Sequence, residues 1–175
     1  MENKKLYTIS VYSENNLGLL NRISTIFVKR HINIESLTVS ASEIKGVSRF
    51  IVVVRMTEEA VKKIIGQLEK QIEVIKAYYH MDDEIIFTET AMFKFKSDLL
   101  FENPQIQNII KENNMNIVTV NRTFFIVEKA GRRHEIDAIY EEFAPFGIAQ
   151  FVRSGRVAIS KEAMNIRTIL GEIVQ

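Results

Sequence analysis

The side chains best placed to recognise a small ligand lie in the segment Glu14-Asn15-Asn16-Leu17-Gly18-Leu19-Leu20-Asn21-Arg22. An alternating run, Leu6 to Tyr12, precedes it with the two-residue period of a half-buried strand. Beyond it, Leu17 to Arg30 places Leu20, Ile23, Ile26 and Phe27 on one helical face. The first-turn N–H groups of such a helix have no intrahelical acceptor, and its dipole favours an anion beside them. A carboxylate is such an anion. Gly18 removes the side chain that would hold a ligand off the backbone. Asn15 offers a donor and an acceptor together. A free amino acid, with one carboxylate and one ammonium group, needs that mixture. Leu19 and Leu20 add apolar contact for an aliphatic side chain. The same residues also have a purely structural reading, in which Asn15 or Asn16 caps the helix and Gly18 serves the turn. By its place before a strand, Asn33 reads as a turn residue bonded to its own backbone.

Other chemistry finds little support. The chain has no cysteine, which excludes disulfides, thiolate metal sites and a cysteine nucleophile. His31, His80 and His134 lack paired spacing, so neither a metal site nor a catalytic residue is expected. No phosphate-cradling glycine loop is present, and Asp82-Asp83-Glu84 reads as a solvated linker. A net charge of +1, with 46% hydrophobic and 26% charged residues, gives no footprint for nucleic acid or an anionic membrane. Met1 to Leu6 is polar and Phe50 to Val54 is the longest apolar run, so a cytoplasmic location is expected.

The elements that must position the segment read strand, helix, strand, strand, helix, strand. After the first helix come a strand at Asn33 to Ala41 and a turn at Glu43 to Gly46. Ile34 is out of phase with Leu37, Val39 and Ala41, which predicts a bulge near Glu35-Ser36. Ser48 to Met56 is apolar on both faces and calls for cover on both sides. Thr57 caps a helix reaching about Lys70, and Ile72 to Tyr79 closes the set. The order then repeats. A strand at Ile85 to Phe95 precedes a helix from Pro104 to about Asn113. Ile117 to Val120 and Thr123 to Glu128 pair, Arg132 to Phe143 is helical, and Ile148 to Val152 is the last strand. Asn33-Ile34 and Asn116-Ile117 fall at the same place in the two halves. The expectation is an α+β chain of two ferredoxin-like βαββαβ modules, over 1–80 and 84–160, with a tail at 161–175; the residues after Arg156 have a mild helical pattern and no evident core role. The open sheet face needs a cover, for which a second copy of the module is a natural candidate.

Glu14-Asn15-x-x-Gly18-x-Leu20-x-Arg22, followed by Arg30 and Asn33-Ile34-Glu35-Ser36-Leu37-Thr38-Val39, resembles the ACT domain of acetolactate synthase small subunits. Ser48-Arg49 and Gln67-Leu68-x-Lys70-x-x-x-Val74 are similar to it as well. Pro145-Phe146-Gly147-Ile148 and Arg153-Ser154-Gly155-Arg156 resemble the family's C-terminal domain, so the likeness spans about 6–160. The resemblance implies a homodimer of ACT domains with valine, or another branched-chain amino acid, at the interface. Asn15, Gly18, Leu19 and Leu20 of one subunit and Asn33 and Ile34 of its partner would surround it. It further implies a regulatory subunit, inactive alone, that activates a catalytic large subunit and mediates feedback inhibition by valine. The chain itself would bind no cofactor. Thiamine diphosphate, Mg and FAD are expected on the catalytic subunit, which condenses two pyruvates or pyruvate with 2-oxobutyrate. An ACT-type sensor of a different metabolic enzyme is the alternative. Two positions depart from the pattern: His31 stands where the family often has glycine, and Asn21 where serine is common.

Overall fold

The computed structural model describes residues 4–171. The chain divides into two compact units. One runs from the start of the chain to Phe87 and takes in the residues from Arg156 onward; the other is Thr88–Gly155. The sequence pattern placed these transitions at 80–84 and after 160. Among the described residues no helix is long and apolar enough to cross a membrane.

The first unit contains β1 (Lys5–Glu14), α1 (Leu19–Val28), β2 (Ile34–Ala41), β3 (Val47–Met56), α2 (Glu58–Leu68) and β4 (Val74–His80). The strands form an antiparallel sheet in the order β2-β3-β1-β4, the arrangement of a ferredoxin-like module. Strand alternation sends Tyr7, Ile9 and Val11 to one face, with Phe50, Val52 and Val54 of β3 beside them. Leu19, Ile23 and Phe27 of α1 and Val61, Ile64 and Leu68 of α2 close that core. The expected bulge is present: the β2–β3 register shifts between Ile34 and Ser36, leaving Glu35 as the extra residue.

The opposite face carries Thr8, Ser10 and Tyr12, all of them buried. Its cover comes from this chain, through β9 (Val157–Ser160) and α6 (Ile166–Gly171). Ile166 and Ile169 pack with Tyr12, Val47, Ile75 and Tyr78. The Arg49 guanidinium donates to the Ala158 carbonyl at 2.7 Å and stands 5.5 Å from the centre of the Tyr12 ring. The sequence assigns this tail no core role because β9 inverts the usual signal. Val157 and Ile159 are 55% and 65% exposed, whereas Arg156 and Ala158 face inward.

The second unit takes up most of β5 (Ile85–Lys96), followed by α3 (Asp98–Glu102), α4 (Pro104–Glu112), β6 (Asn116–Val120), β7 (Phe124–Gly131), α5 (Arg133–Phe143) and β8 (Gln150–Arg153). Its strands follow the order β6-β7-β5-β8, and β9 also pairs with β5. Phe93, Phe95, Phe125, Ile136, Ile139 and Phe143 form its core. The first helix of this repeat is broken because Asn103, which precedes proline, is extended with φ −117°.

The two units share more than element order. α1 ends with His31 in the left-handed region at φ 54°, and Ile32 N–H donates to the Phe27 carbonyl. α4 ends with Asn114 at φ 48°, and Met115 N–H donates to the Ile110 carbonyl. Both are Schellman terminations, which glycine usually occupies. An Asn-Ile pair follows each, and each following strand is bulged, at Glu35 and at Val118.

Candidate functional site

The β1–α1 connection is held at its base and open at its tip. Glu14 N–H donates to the Glu73 carbonyl at 2.9 Å, and Asn15 N–H to the Gly46 carbonyl at 3.0 Å. The Asn16 amide donates to the Glu14 carboxylate at 2.9 Å. Neither asparagine caps the helix. α1 begins at Leu19, the N-cap residue is Gly18 at φ 79°, and no side chain caps the first turn. The N–H groups of Leu19, Leu20 and Asn21 are therefore the first-turn donors left without an intrahelical acceptor. Gly18 is required by its left-handed backbone and not by crowding, since a Cβ there would meet nothing within 4 Å. Among the described residues the Asn15 side chain has no hydrogen-bond partner, and it is exposed. The matching helix of the second unit is closed to an anion. There Asn103 accepts from Gln105 N–H at 3.0 Å, and Pro104 occupies the first turn.

Leu19 and Leu20 do different things. Leu19 is 2% exposed and packed in the core, so it can offer a ligand its backbone N–H but not its side chain. Leu20 is 47% exposed and remains available for apolar contact. Arg22, one turn further along α1, forms an ion pair with Glu73 that ties the helix to the α2–β4 connection. Leu20 and Val28 of α1 are exposed apolar residues, as are Leu17 in the turn before it and Val39 of the edge strand β2.

Asn33 and Ile34 stand at the start of β2, with Ile34 partly buried and Asn33 exposed on the rim of an open depression lined by Arg30, His31, Arg55 and Ala60. Within one chain this pair is remote from Asn15 and Gly18. Ile34 is in register with Val54, and Val54 with Tyr7, whereas the β1–α1 loop leaves from Glu14. Tyr7 and Glu14 are seven residues apart on β1, about 23 Å at a strand rise of ~3.3 Å. The ten residues of α1 bridge a comparable distance, about 15 Å, with the loop at one end and Asn33 past the other. Within one chain the two groups of candidate residues thus lie at opposite ends of α1.

The strongest electrostatic perturbation lies elsewhere, on the covered face of the sheet. Burial pushes the Tyr12 phenol well above its ordinary pKa, and the neighbouring Tyr78 hydroxyl adds to the effect. Residues that sequence patterns alone did not single out gather on this face. The Arg156 guanidinium is 4% exposed, donates to Thr8 Oγ1 at 2.7 Å and to the Asp82 carboxylate at 2.6 Å, and stands 3.7 Å from the centre of the Phe87 ring. The only sequence signal for it was its place in Arg153-Ser154-Gly155-Arg156. Among the described residues no cluster of three or more metal-ligating side chains occurs.

A ferredoxin-like sheet with both helices on one face, and a glycine-opened, uncapped first helix, is the architecture of an ACT domain. The family model described as the AHAS small subunit-like ACT domain matches residues 9–76. A second model, described as the small subunit of acetolactate synthase, matches residues 88–162. The Bacillus subtilis acetolactate synthase small subunit is 36% identical over 159 residues, covering 90% of this chain and 91% of the relative. The Mycolicibacterium smegmatis acetolactate synthase small subunit is 32% identical over 155 residues, covering 89% and 91%. The crystal structure of the acetolactate synthase small subunit from Thermotoga maritima shares the fold with a TM-score of 0.82 at 24% identity, over 91% of this chain and 99% of that one. The chain belongs to the family of acetolactate synthase small, regulatory subunits.

Proposed function

We propose that the chain works as a homodimer that binds valine, or another branched-chain amino acid, and sets the activity of an acetolactate synthase catalytic subunit. The observation that carries the reading is the uncapped, glycine-opened N-terminus of α1. It presents N–H donors and the positive end of a helix dipole to a carboxylate. The Asn15 amide beside it suits the ammonium group, and Leu20 suits an aliphatic side chain.

The separation of the half-sites supports the dimer. β2 is an edge strand, and Leu17 before α1 with Leu20 and Val28 on it lie exposed in the single chain. A two-fold axis beside β2 sets the α1 helices of two copies antiparallel. The uncapped helix end of one copy then meets Asn33-Ile34 of the other, and each dimer gains two sites. Ligand binding shifts the population of dimer arrangements toward the one it fits better. Couplings of this kind are about 1–3 kcal/mol, or roughly 5- to 150-fold in an equilibrium. The chain is regulatory and not catalytic alone; thiamine diphosphate, the cofactor expected for the condensation, would reside on the partner.

The test is reconstitution. Acetolactate formation by the catalytic subunit of the same organism is measured alone, with this chain, and with this chain plus valine. Activity is expected to rise on adding the chain and to fall with valine. Valine binding by the chain with no change in synthase activity in either step would favour a sensor serving a different enzyme.

A further inference from the structure

The buried Arg156 sits where the chain re-enters the first unit, one peptide bond after Gly155, the last residue of the second. Its backbone N–H donates to Ser36 Oγ at 3.1 Å. Ser36 lies two residues beyond Ile34, and between them is the bulge at Glu35. A bulge leaves the extra residue out of the ladder and disrupts the pairing locally, which bends the strand at that point. The Arg156 side chain grips three further elements: Thr8 on β1, Asp82 after β4 and Phe87 at the exit toward the second unit. Its Nε is buried without a hydrogen-bond partner among the described residues.

We propose that the Ser36–Arg156 contact is a positioning joint through which occupancy at Asn33-Ile34 is passed to the returning segment Arg156–Ser160. The inference rests on the amino-acid-sensing reading and extends it to a route. A ligand that fastens Asn33 and Ile34 removes the freedom of the bulge and fixes Ser36. The Arg156 N–H bond then persists, and with it the guanidinium contacts to Thr8, Asp82 and Phe87. The segment that leads out of the second unit thus becomes more firmly held when the site is filled. Arg49, which donates to the Ala158 carbonyl, holds the same segment from β3.

Amide hydrogen exchange of the full chain, followed by mass spectrometry with and without saturating valine, tests the joint. In the wild-type chain valine is expected to slow exchange across Arg156–Ser160 by about fivefold or more. Ser36→Ala, which removes the acceptor, is expected to bind valine within about threefold of wild type by calorimetry and to lose most of that slowing. Ser36→Thr keeps a hydroxyl acceptor and is expected to retain the slowing, which a merely structural serine would not require. Valine binding without an exchange response in 156–160, or a full response in Ser36→Ala, overturns the joint and leaves the sensing reading standing. Failure of the wild-type chain to bind any branched-chain amino acid overturns both.

Discussion

Gly18→Asp separates the fold from the function of the α1 N-terminus. The aspartate side chain is accommodated, because a Cβ at position 18 would meet nothing within 4 Å. The backbone there is left-handed at φ 79°, which costs a non-glycine residue about 1 kcal/mol. A carboxylate beside the first turn of α1 returns about 0.5–1 kcal/mol through the dipole and the open N–H groups. The net change in stability is therefore within about 1 kcal/mol, a Tm shift of no more than about 4 °C for a chain of this size. The effect on the ligand is larger, since the new carboxylate occupies the donors that the ligand carboxylate needs. Two negative charges about 4 Å apart repel by about 1 kcal/mol in water and about 4 kcal/mol at an effective dielectric of 20. Valine affinity should fall by roughly 5-fold to 1000-fold, toward the upper end if the dimer closes the site. Gly18→Ala carries the same backbone strain without the charge and should keep affinity within about threefold. Calorimetric titration with valine, paired with thermal melts, measures both quantities. Wild-type affinity in Gly18→Asp, or an equal loss in Gly18→Ala, would refute the anion site.

Three further expectations follow from the same geometry. Charging α1 with Leu20→Asp and Val28→Asp, at positions 47% and 68% exposed, should leave the fold intact and convert dimer to monomer in sedimentation; an unchanged dimer would place the interface elsewhere. His31→Gly should stabilise the chain by about 0.5–1 kcal/mol in denaturant titration, because φ 54° suits glycine better than histidine; a loss of stability would mean that the imidazole makes a compensating contact. The raised pKa of Tyr12 means that the unfolded chain ionises this phenol first as the pH climbs. Stability should be flat below about pH 10 and then fall by about 1.4 kcal/mol per pH unit from this residue, until the folded phenol also ionises. Absorbance titration should show Tyr12→Phe removing one late-ionising tyrosine, and no late component would contradict its burial.

Much of the fold is legible in residue periodicity. Tyr7, Ile9 and Val11 alternate cleanly and the phase slip at Ile34 announces the bulge that the register shows, whereas on α1 the buried face is Leu19, Ile23 and Phe27 and the expected Leu20 is left 47% exposed. The open end of α1 is half legible. Gly18 marks it, but only in the folded chain is Asn16 seen to be spent on Glu14 and the turn to lack a side-chain cap. Leu19 reads as a ligand contact by its place in the segment and is a core residue in fact, because the helix starts two residues later than its apolar pattern does. The return of the chain at Arg156 is the least legible feature. Its anchor is a charged residue facing inward while Val157 and Ile159 face out, and pattern reading expects the reverse. The shared helix terminator is similarly hidden, since histidine in one unit and asparagine in the other replace the glycine that would signal it.

The most direct test of a site divided between two copies is complementation between variants that are each weakened alone. Gly18→Asp damages the helix half-site, and Asn33→Ala damages the strand half-site, at opposite ends of α1. Calorimetry should find valine binding weakened in both homodimers. When the two are mixed and allowed to exchange subunits, each mixed dimer pairs an intact Gly18 with an intact Asn33 once. Binding should return at one site per mixed dimer with near wild-type affinity. No recovery of affinity in a mixture shown to contain mixed dimers would contradict the shared site, as would full affinity in Asn33→Ala alone.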